Sequence, residues 1–155
     1  MEIIIIIILI LVNGFLSMSE MAVVSARKSK LETDAKKGSK SAKAALELAD
    51  NPDNFFSTLQ IGITLIGILT GLFSGEAFAA DLSIYVAKIS FLSPYAYMIS
   101  KALIVILVTY LTLVIGELVP KRLGMAKAES IAKFIARPMM ILSKLAYPLV
   151  WILEK

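Results

Sequence analysis

Three long apolar segments dominate the pattern of hydrophobic and polar positions along the chain. They cover about residues 3–26, 55–73 and 102–119. A helix rises about 1.5 Å per residue, so about 20 residues cross a hydrocarbon core of about 30 Å. Each segment is about that long. The pattern therefore predicts an all-α membrane protein with three transmembrane helices.

Two connections are predicted to form helices outside the membrane core. Residues 30–49 are rich in alanine and lysine and are followed by Asn51–Pro52, which predicts a helix facing the cytoplasm. The connection between the second and third spans, residues 75–100, is half apolar. It predicts a short helix that lies on the outer surface.

The last apolar segment, residues 127–153, is ambiguous because it is long enough to span. Three basic side chains fall on one of its helical faces, and a span would place Lys144 near the bilayer centre at a cost of about 3 kcal/mol. Two prolines in the segment are also expected to break a helix. We predict juxtamembrane amphipathic helices in the plane of the inner interface; a fourth span is the alternative.

The positions of lysine and arginine predict the orientation in the lipid bilayer. Seven lie between the first and second apolar segments, two between the second and third, and seven after the third. The positive-inside rule then predicts a multi-pass protein of the inner (plasma) membrane, with its N-terminus outside and its C-terminus in the cytoplasm. Topology accounts for the basic residues, so the net charge of +4 does not indicate nucleic-acid binding.

Composition narrows the possible chemistry. The chain is 58% hydrophobic and 18% charged, against about 45–50% and about 25% in soluble domains. It contains neither cysteine nor histidine, which removes thiolate nucleophiles and the usual general base. We therefore expect no enzymatic activity, and we expect any bound metal to be a hard cation held by oxygen atoms.

Polar side chains of the three predicted spans converge on one level in the inner half of the membrane. Ser17 and Glu117 lie about 21 and 22 Å from the outer ends of their spans, and Gln60 and Thr64 lie about 16–22 Å from the outer face. Pro120 also frees a backbone carbonyl one turn back. A carboxylate at this depth is costly unless it faces the bundle interior, water or a cation. The shared depth of these polar residues therefore predicts a cation site.

Simpler explanations exist for each of these residues. Hydroxyl groups in helices often bond to their own backbone, as Ser17 or Thr64 could. Glu117 could pair with Lys121 one turn on, and Glu20 could pair with a basic residue at the inner end of its own span. The shared depth of the polar residues, more than any one of them, favours the ion site.

Two motifs resemble those of the CNNM/CorC family of magnesium transporters. Residues 13–22, Asn-Gly-Phe-Leu-Ser-Met-Ser-Glu-Met-Ala, resemble the family's first-helix motif, and residues 27–31 continue it. Residues 116–121, Gly-Glu-Leu-Val-Pro-Lys, resemble its third-helix motif. The resemblance covers nearly the whole chain, in the same order and topology.

The resemblance implies a homodimer of three-helix domains with a belt of juxtamembrane helices. It implies export of Mg²⁺, with Na⁺ as a candidate exchange ion. Family members continue into cytoplasmic CBS domains, so we expect this chain to be the membrane domain of a longer polypeptide. Gly67, Gly71 and Gly75 form a small-xxx-small series that permits close helix packing, within the bundle or in a dimer.

Carried over residue by residue, the family's first-helix serine ligand falls on Ser17. Its third-helix glutamate falls on Glu117, and a backbone carbonyl beyond the proline falls near Gly124. The second helix departs from the family's Gly-Asn-x-Leu-Val-Asn, because residues 62–67 read Gly-Ile-Thr-Leu-Ile-Gly. The nearest polar substitutes complete the predicted metal ligands, which are Ser17, Gln60, Thr64, Glu117 and Gly124.

The missing asparagines leave a second hypothesis open. Mg²⁺ prefers close to six oxygen ligands, and the second helix lacks two of the amides that would supply them. A non-transporting membrane anchor or regulator of another ion transporter is therefore the alternative function.

Overall fold

The computed structural model describes residues 1–154, which contain helices and no strand. A 3-10 turn, Ser93–Tyr95, precedes the fifth helix, and a π-helical turn, Val114–Leu118, joins the fifth helix to the sixth. The all-helical prediction is confirmed. The helices are α1 (Glu2–Ser25), α2 (Lys28–Lys36), α3 (Lys40–Asp50), α4 (Pro52–Val86), α5 (Ala96–Leu113), α6 (Val119–Ala126) and α7 (Ala128–Glu154).

Four helical segments are long and apolar enough to cross a membrane. They are α1, α4, the continuous segment Ser93–Ala126 and α7. The sequence predicted three spans, so the structure contains one more candidate, α7. Large apolar side chains cover the outside of these helices; Ile68 is 63% exposed and Ile106 is 66% exposed. Such a surface is suited to lipid, and the chain is a multi-pass membrane protein.

Helix α4 continues well past the predicted end of the second span, to Val86. The prediction of a separate outer helix within residues 75–100 is therefore wrong. Packing explains the continuation: a Cβ at Gly75 would lie 3.1 Å from Val105 Cγ2 of α5. Farther along, Phe78 packs against a small core that α1 and α5 share. These contacts hold α4 against α5 where the sequence pattern suggested an end.

The single helix predicted over residues 30–49 is divided into α2 and α3. The turn between them contains Gly38, whose φ of 97° is a left-handed conformation that favours glycine. Ser39 then caps α3, because its Oγ accepts a hydrogen bond from the N–H of Ala42 at 3.2 Å. Glycine followed by serine was the sequence signal for this division.

Helix α7 is one helix of 27 residues, although Pro138 and Pro148 were expected to break it. It packs against α1, α3 and α4, and its buried Ile135 belongs to the main core. Packing along this face therefore outweighs the backbone hydrogen bonds that the prolines remove. An ion pair between Lys133 Nζ and Asp34 Oδ2 of α2, 3.0 Å apart, holds the first half of α7.

Helix α1 has a central place in the bundle. It packs against α4, α6, α7 and the π-helical turn. The main hydrophobic core lies where α1, α3, α4 and α7 meet, so α1 is held by contacts with several helices. The buried residues of this core are Leu16, Ala22, Val23, Leu31, Ala45, Leu48, Phe55, Leu59, Ile66, Ala132, Ile135, Ala136 and Met139.

Candidate cation site

The π-helical turn lies where the third apolar segment passes from α5 to α6. Pro120 has no N–H, so the carbonyl of Gly116, four residues earlier, cannot receive its usual helical hydrogen bond. Asn13 of α1 supplies the partner: its Nδ2 donates to Gly116 O at 2.9 Å in a buried environment. The sequence predicted a freed carbonyl here, and the structure shows that an α1 side chain pairs with it.

Glycines let α1 and the third segment approach backbone to backbone. A Cβ at Gly116 would lie 3.2 Å from Ile10 O, and a Cβ at Gly124 would lie 2.5 Å from Met18 O. A larger side chain has no room at Gly124, and at Gly116 it would require the neighbouring backbone to shift slightly. Gly124, predicted as a ligand through its carbonyl, is therefore also a close-packing position. This packing sets the position of α1 against the π-helical turn.

A cavity of about 110 Å³ lies beside the π-helical turn, between α1, α4 and α5. It extends from the side-chain amide of Asn13 in α1 to the carboxylate of Glu117 in the π-helical turn. Its apolar walls are residues of α4 and α5. The polar lining comes from Asn13, Thr70, Thr109, Thr112 and Glu117, and the apolar lining from Ile63, Gly67, Gly71 and Leu113.

Two buried side-chain oxygen atoms of the lining residues have no hydrogen-bond partner within residues 1–154, Asn13 Oδ1 and Thr112 Oγ1. These residues are only 3% and 9% exposed, and an unpaired buried polar group costs about 1–3 kcal/mol. The same part of the chain contains no group of three or more His, Cys, Asp or Glu that could hold a metal. An ion here would therefore depend on neutral oxygens as well as on Glu117.

Glu117 is paired with a lysine of its own segment. Nζ of Lys121 donates to Glu117 Oε1 at 2.9 Å, which confirms the i,i+4 pairing given as the simpler explanation. The same Nζ lies 3.9 Å from Oε2 of Glu20 in α1. Glu20 was expected to pair with a basic residue at the end of its own span, and its partner is instead Lys121. One ammonium group thus lies between two carboxylates.

The structure brings together only part of the predicted ligand set. Glu117 lines the cavity. Ser17 is fully buried one helical turn beyond the asparagine of the cavity, and its hydroxyl has no hydrogen-bond partner in the described part of the chain. Gln60 and Thr64 pair with each other on an exposed face of α4, with Nε2 and Oγ1 3.5 Å apart, and line a separate groove.

Asn13 and Thr112 are the residues of this site that sequence reasoning missed. Asn13 begins the first-helix motif, but only the fold shows that it meets the carbonyl freed by Pro120. Thr112 precedes Glu117 by five residues, and residues five apart in a regular α-helix point about 140° apart. The π-helical turn between them changes that relation, which the α-helical pattern did not reveal.

These features define a helical membrane domain with a partly polar cavity between its helices. The model of the Cyclin M transmembrane N-terminal domain, CNNM, matches residues 4–155. The chain belongs to the CNNM family, which confirms the resemblance seen in its first- and third-helix motifs.

The chain is also similar to several curated proteins. UPF0053 protein sll0260 of Synechocystis is 48% identical over 153 residues, 99% of this chain and 34% of that protein. UPF0053 protein YhdT of Bacillus subtilis is 32% identical over 147 residues, 95% of this chain and 32% of that protein. The polyamine export protein of Escherichia coli K12 is 35% identical over 150 residues, which are 97% of this chain and 33% of that protein. The chain spans about a third of the length of these relatives.

Proposed function

We propose that this domain exports a cation across the membrane. The observation that carries the proposal is the cavity lined by Asn13, Thr112 and Glu117, where a carboxylate and two unpaired oxygens lie within an apolar bundle. Ionisable groups at such depth are costly, and they typically mark ion or substrate pathways in membrane proteins. Membership of the CNNM family supports the same conclusion.

Mg²⁺ is the first candidate for the exported ion, with Na⁺ as the exchange ion. Mg²⁺ prefers carboxylate, amide and hydroxyl oxygens and usually keeps several waters, and a cavity of about 110 Å³ has room for them. Asn13 and Thr112 would then supply the neutral oxygens that the second helix lacks. The unpaired hydroxyl of Ser17 is a further candidate ligand.

An organic polyamine is the second candidate. A relative that is 35% identical to this chain is named a polyamine export protein. Glu117 also already holds an alkylammonium group, because Lys121 Nζ lies 2.9 Å from its Oε1. The apolar walls at Ile63 and Leu113 suit the methylene groups of such a substrate.

We also propose three spans, with α7 in the plane of the inner interface. The contacts of α7 with α4 support this: Asn54 Nδ2 donates to Ser143 O at 3.3 Å, and Val150 shares a groove with Ser57. Helix α7 thus stays beside the first turns of α4 and crosses the bundle. The distribution of basic residues supports an inner (plasma) membrane location, with the N-terminus outside and α7 on the cytoplasmic side.

The proposed assembly is a homodimer that carries cytoplasmic CBS domains on the same polypeptide. Among the described atoms, none lies within 4 Å of a Cβ placed at Gly67 or Gly71, and both glycines also line the cavity, so a partner helix at this face would cover the cavity. A helix face with open small residues permits another helix to approach closely. The proposed role is transport and not catalysis.

Cation flux in liposomes that contain the full-length protein tests the proposal. We expect Glu117→Gln to abolish flux while the protein stays folded, because Glu117 is the one carboxylate among the described residues that line the cavity. Glu76→Gln is the matched control, since Glu76 is an exposed carboxylate of α4, and it should keep wild-type flux. Running the assay with Mg²⁺ and with 1,4-diaminobutane separates the two candidate substrates.

Unchanged flux in Glu117→Gln would overturn the transport proposal. Folded wild-type protein that moves neither cation would favour the alternative function, a membrane anchor or regulator of another ion transporter. Co-purification of such a transporter would then be the supporting result. The altered second helix, at residues 62–67, would be the explanation for the lost ion path.

A further inference from the structure

The carboxylate at the cavity is already neutralised by the protein itself. Nζ of Lys121 lies 2.9 Å from Glu117 Oε1, a charge-assisted hydrogen bond between residues one turn apart. A cation that binds Glu117 must therefore compete with an ammonium group that is covalently tethered beside it. Binding of a cation and pairing with Lys121 are alternative states of the same carboxylate.

The displaced ammonium group has a second acceptor nearby. Oε2 of Glu20 lies 3.9 Å from the same Nζ, so Lys121 can approach Glu20 through rotations of its own flexible side chain. The side chains of Glu20, Glu117 and Lys121 are each about 30% exposed. They are neither so buried that movement is blocked nor so exposed that water replaces the pairing.

We propose that Lys121 is a built-in competitor for the transported cation. In the empty state it pairs with Glu117, and when a cation arrives it moves to Glu20. The inference rests on the proposed transport function and adds a device that limits affinity. A lysine that returns to Glu117 helps to expel the cation, so that binding does not become too tight for release.

Two substitutions should move cation affinity in opposite directions. Lys121→Met removes the competitor while keeping much of the side-chain volume, and it should tighten binding about tenfold, as expected when one charge-assisted hydrogen bond no longer competes. Glu20→Gln removes the alternative partner, keeps Lys121 on Glu117, and should weaken binding severalfold. In the Lys121→Met background, Glu20→Gln should have little further effect.

Isothermal titration calorimetry of the full-length protein with Mg²⁺, repeated with 1,4-diaminobutane, measures these affinities. Lys144→Met is the matched control, because Lys144 lies in a separate groove between α3, α4 and α7. The cation affinity of the Lys144→Met protein should equal that of wild type. In the flux assay, tighter binding in Lys121→Met should be accompanied by slower turnover, because release becomes harder.

The outcomes separate this inference from the proposed function. Tighter binding in Lys121→Met, weaker binding in Glu20→Gln and loss of the Glu20 effect in the double variant would support it. Equal affinities in wild type and both single variants would overturn the inference and leave cation binding established. Absence of binding in wild type and in both variants would overturn both. If Lys121→Met fails to fold, unchanged affinity in Glu20→Gln is sufficient to overturn the inference.

Discussion

A methyl group at Gly124 tests whether close packing of α6 on α1 holds the site together. In Gly124→Ala the new Cβ would lie 2.5 Å from Met18 O and 3.2 Å from Ala22 N, and backbone atoms cannot rotate away. Overpacking of this kind costs about 1–3 kcal/mol, while alanine in place of glycine in a helix returns about 1 kcal/mol. Because a contact of 2.5 Å is far too short for a Cβ, the upper part of that range applies, about 2–3 kcal/mol. After the gain in helix propensity, we expect the free energy of unfolding to fall by about 1–2 kcal/mol.

Gly67→Ala is the matched control, because a Cβ at Gly67 meets nothing within 4 Å among the described residues. It gains the same helix propensity without the steric cost, so its stability should equal or exceed that of wild type. Thermal unfolding in detergent measures both variants. A loss of about 1–2 kcal/mol lowers the Tm of a domain of this size by roughly 2–8 °C.

A Gly124→Ala variant that melts at or above the wild-type temperature would refute the reasoning. Such a result would mean that α6 can move away from α1 at no cost.

Three further perturbations address single interactions. Asn13→Ala leaves the Gly116 carbonyl unpaired and should cost about 1–3 kcal/mol in thermal unfolding; an unchanged Tm would contradict this. Thr112→Val removes an unpaired hydroxyl at nearly constant volume, so stability should rise by about 1 kcal/mol while cation binding weakens; equal affinity would argue against a ligand role. Lys133 donates a hydrogen bond that holds the pKa of Asp34 below its ordinary 3.8. The resulting stability is complete above pH 3.8, the pKa expected in the unfolded state, and is lost as the pH falls through the lowered pKa. Melting curves of Asp34→Asn should lack this acid-dependent loss.

Much of the architecture followed from local pattern. The runs that became α1 and the third apolar segment are continuous stretches of aliphatic residues, and few other structures can place such stretches in lipid. Glu117 was identified because a carboxylate in an apolar helix is costly wherever the rest of the chain lies. The first- and third-helix motifs were sufficient to identify the family.

Predictions of helix ends and breaks from the sequence were wrong where packing against a distant segment opposed the local preference of the residues. The second apolar segment was predicted to end at residue 73, yet α5 lies against Gly75 and α4 continues to Val86. Pro138 and Pro148 suggested a broken helix, yet contacts with α1, α3 and α4 hold α7 in one piece. In each case burial against a distant segment was worth more than the local preference.

Which residues line the site also depended on packing between distant segments. Depth along a helix placed Gln60 and Thr64 at the level of Glu117, but depth does not specify the direction of a side chain, and they face outward on α4. Asn13 entered the site because glycine packing brings α1 against the carbonyl that Pro120 frees. A single sequence shows which residues are costly to bury. Which of them meet depends on helix rotation and on the π-helical turn, and these are set by packing between segments far apart in the chain.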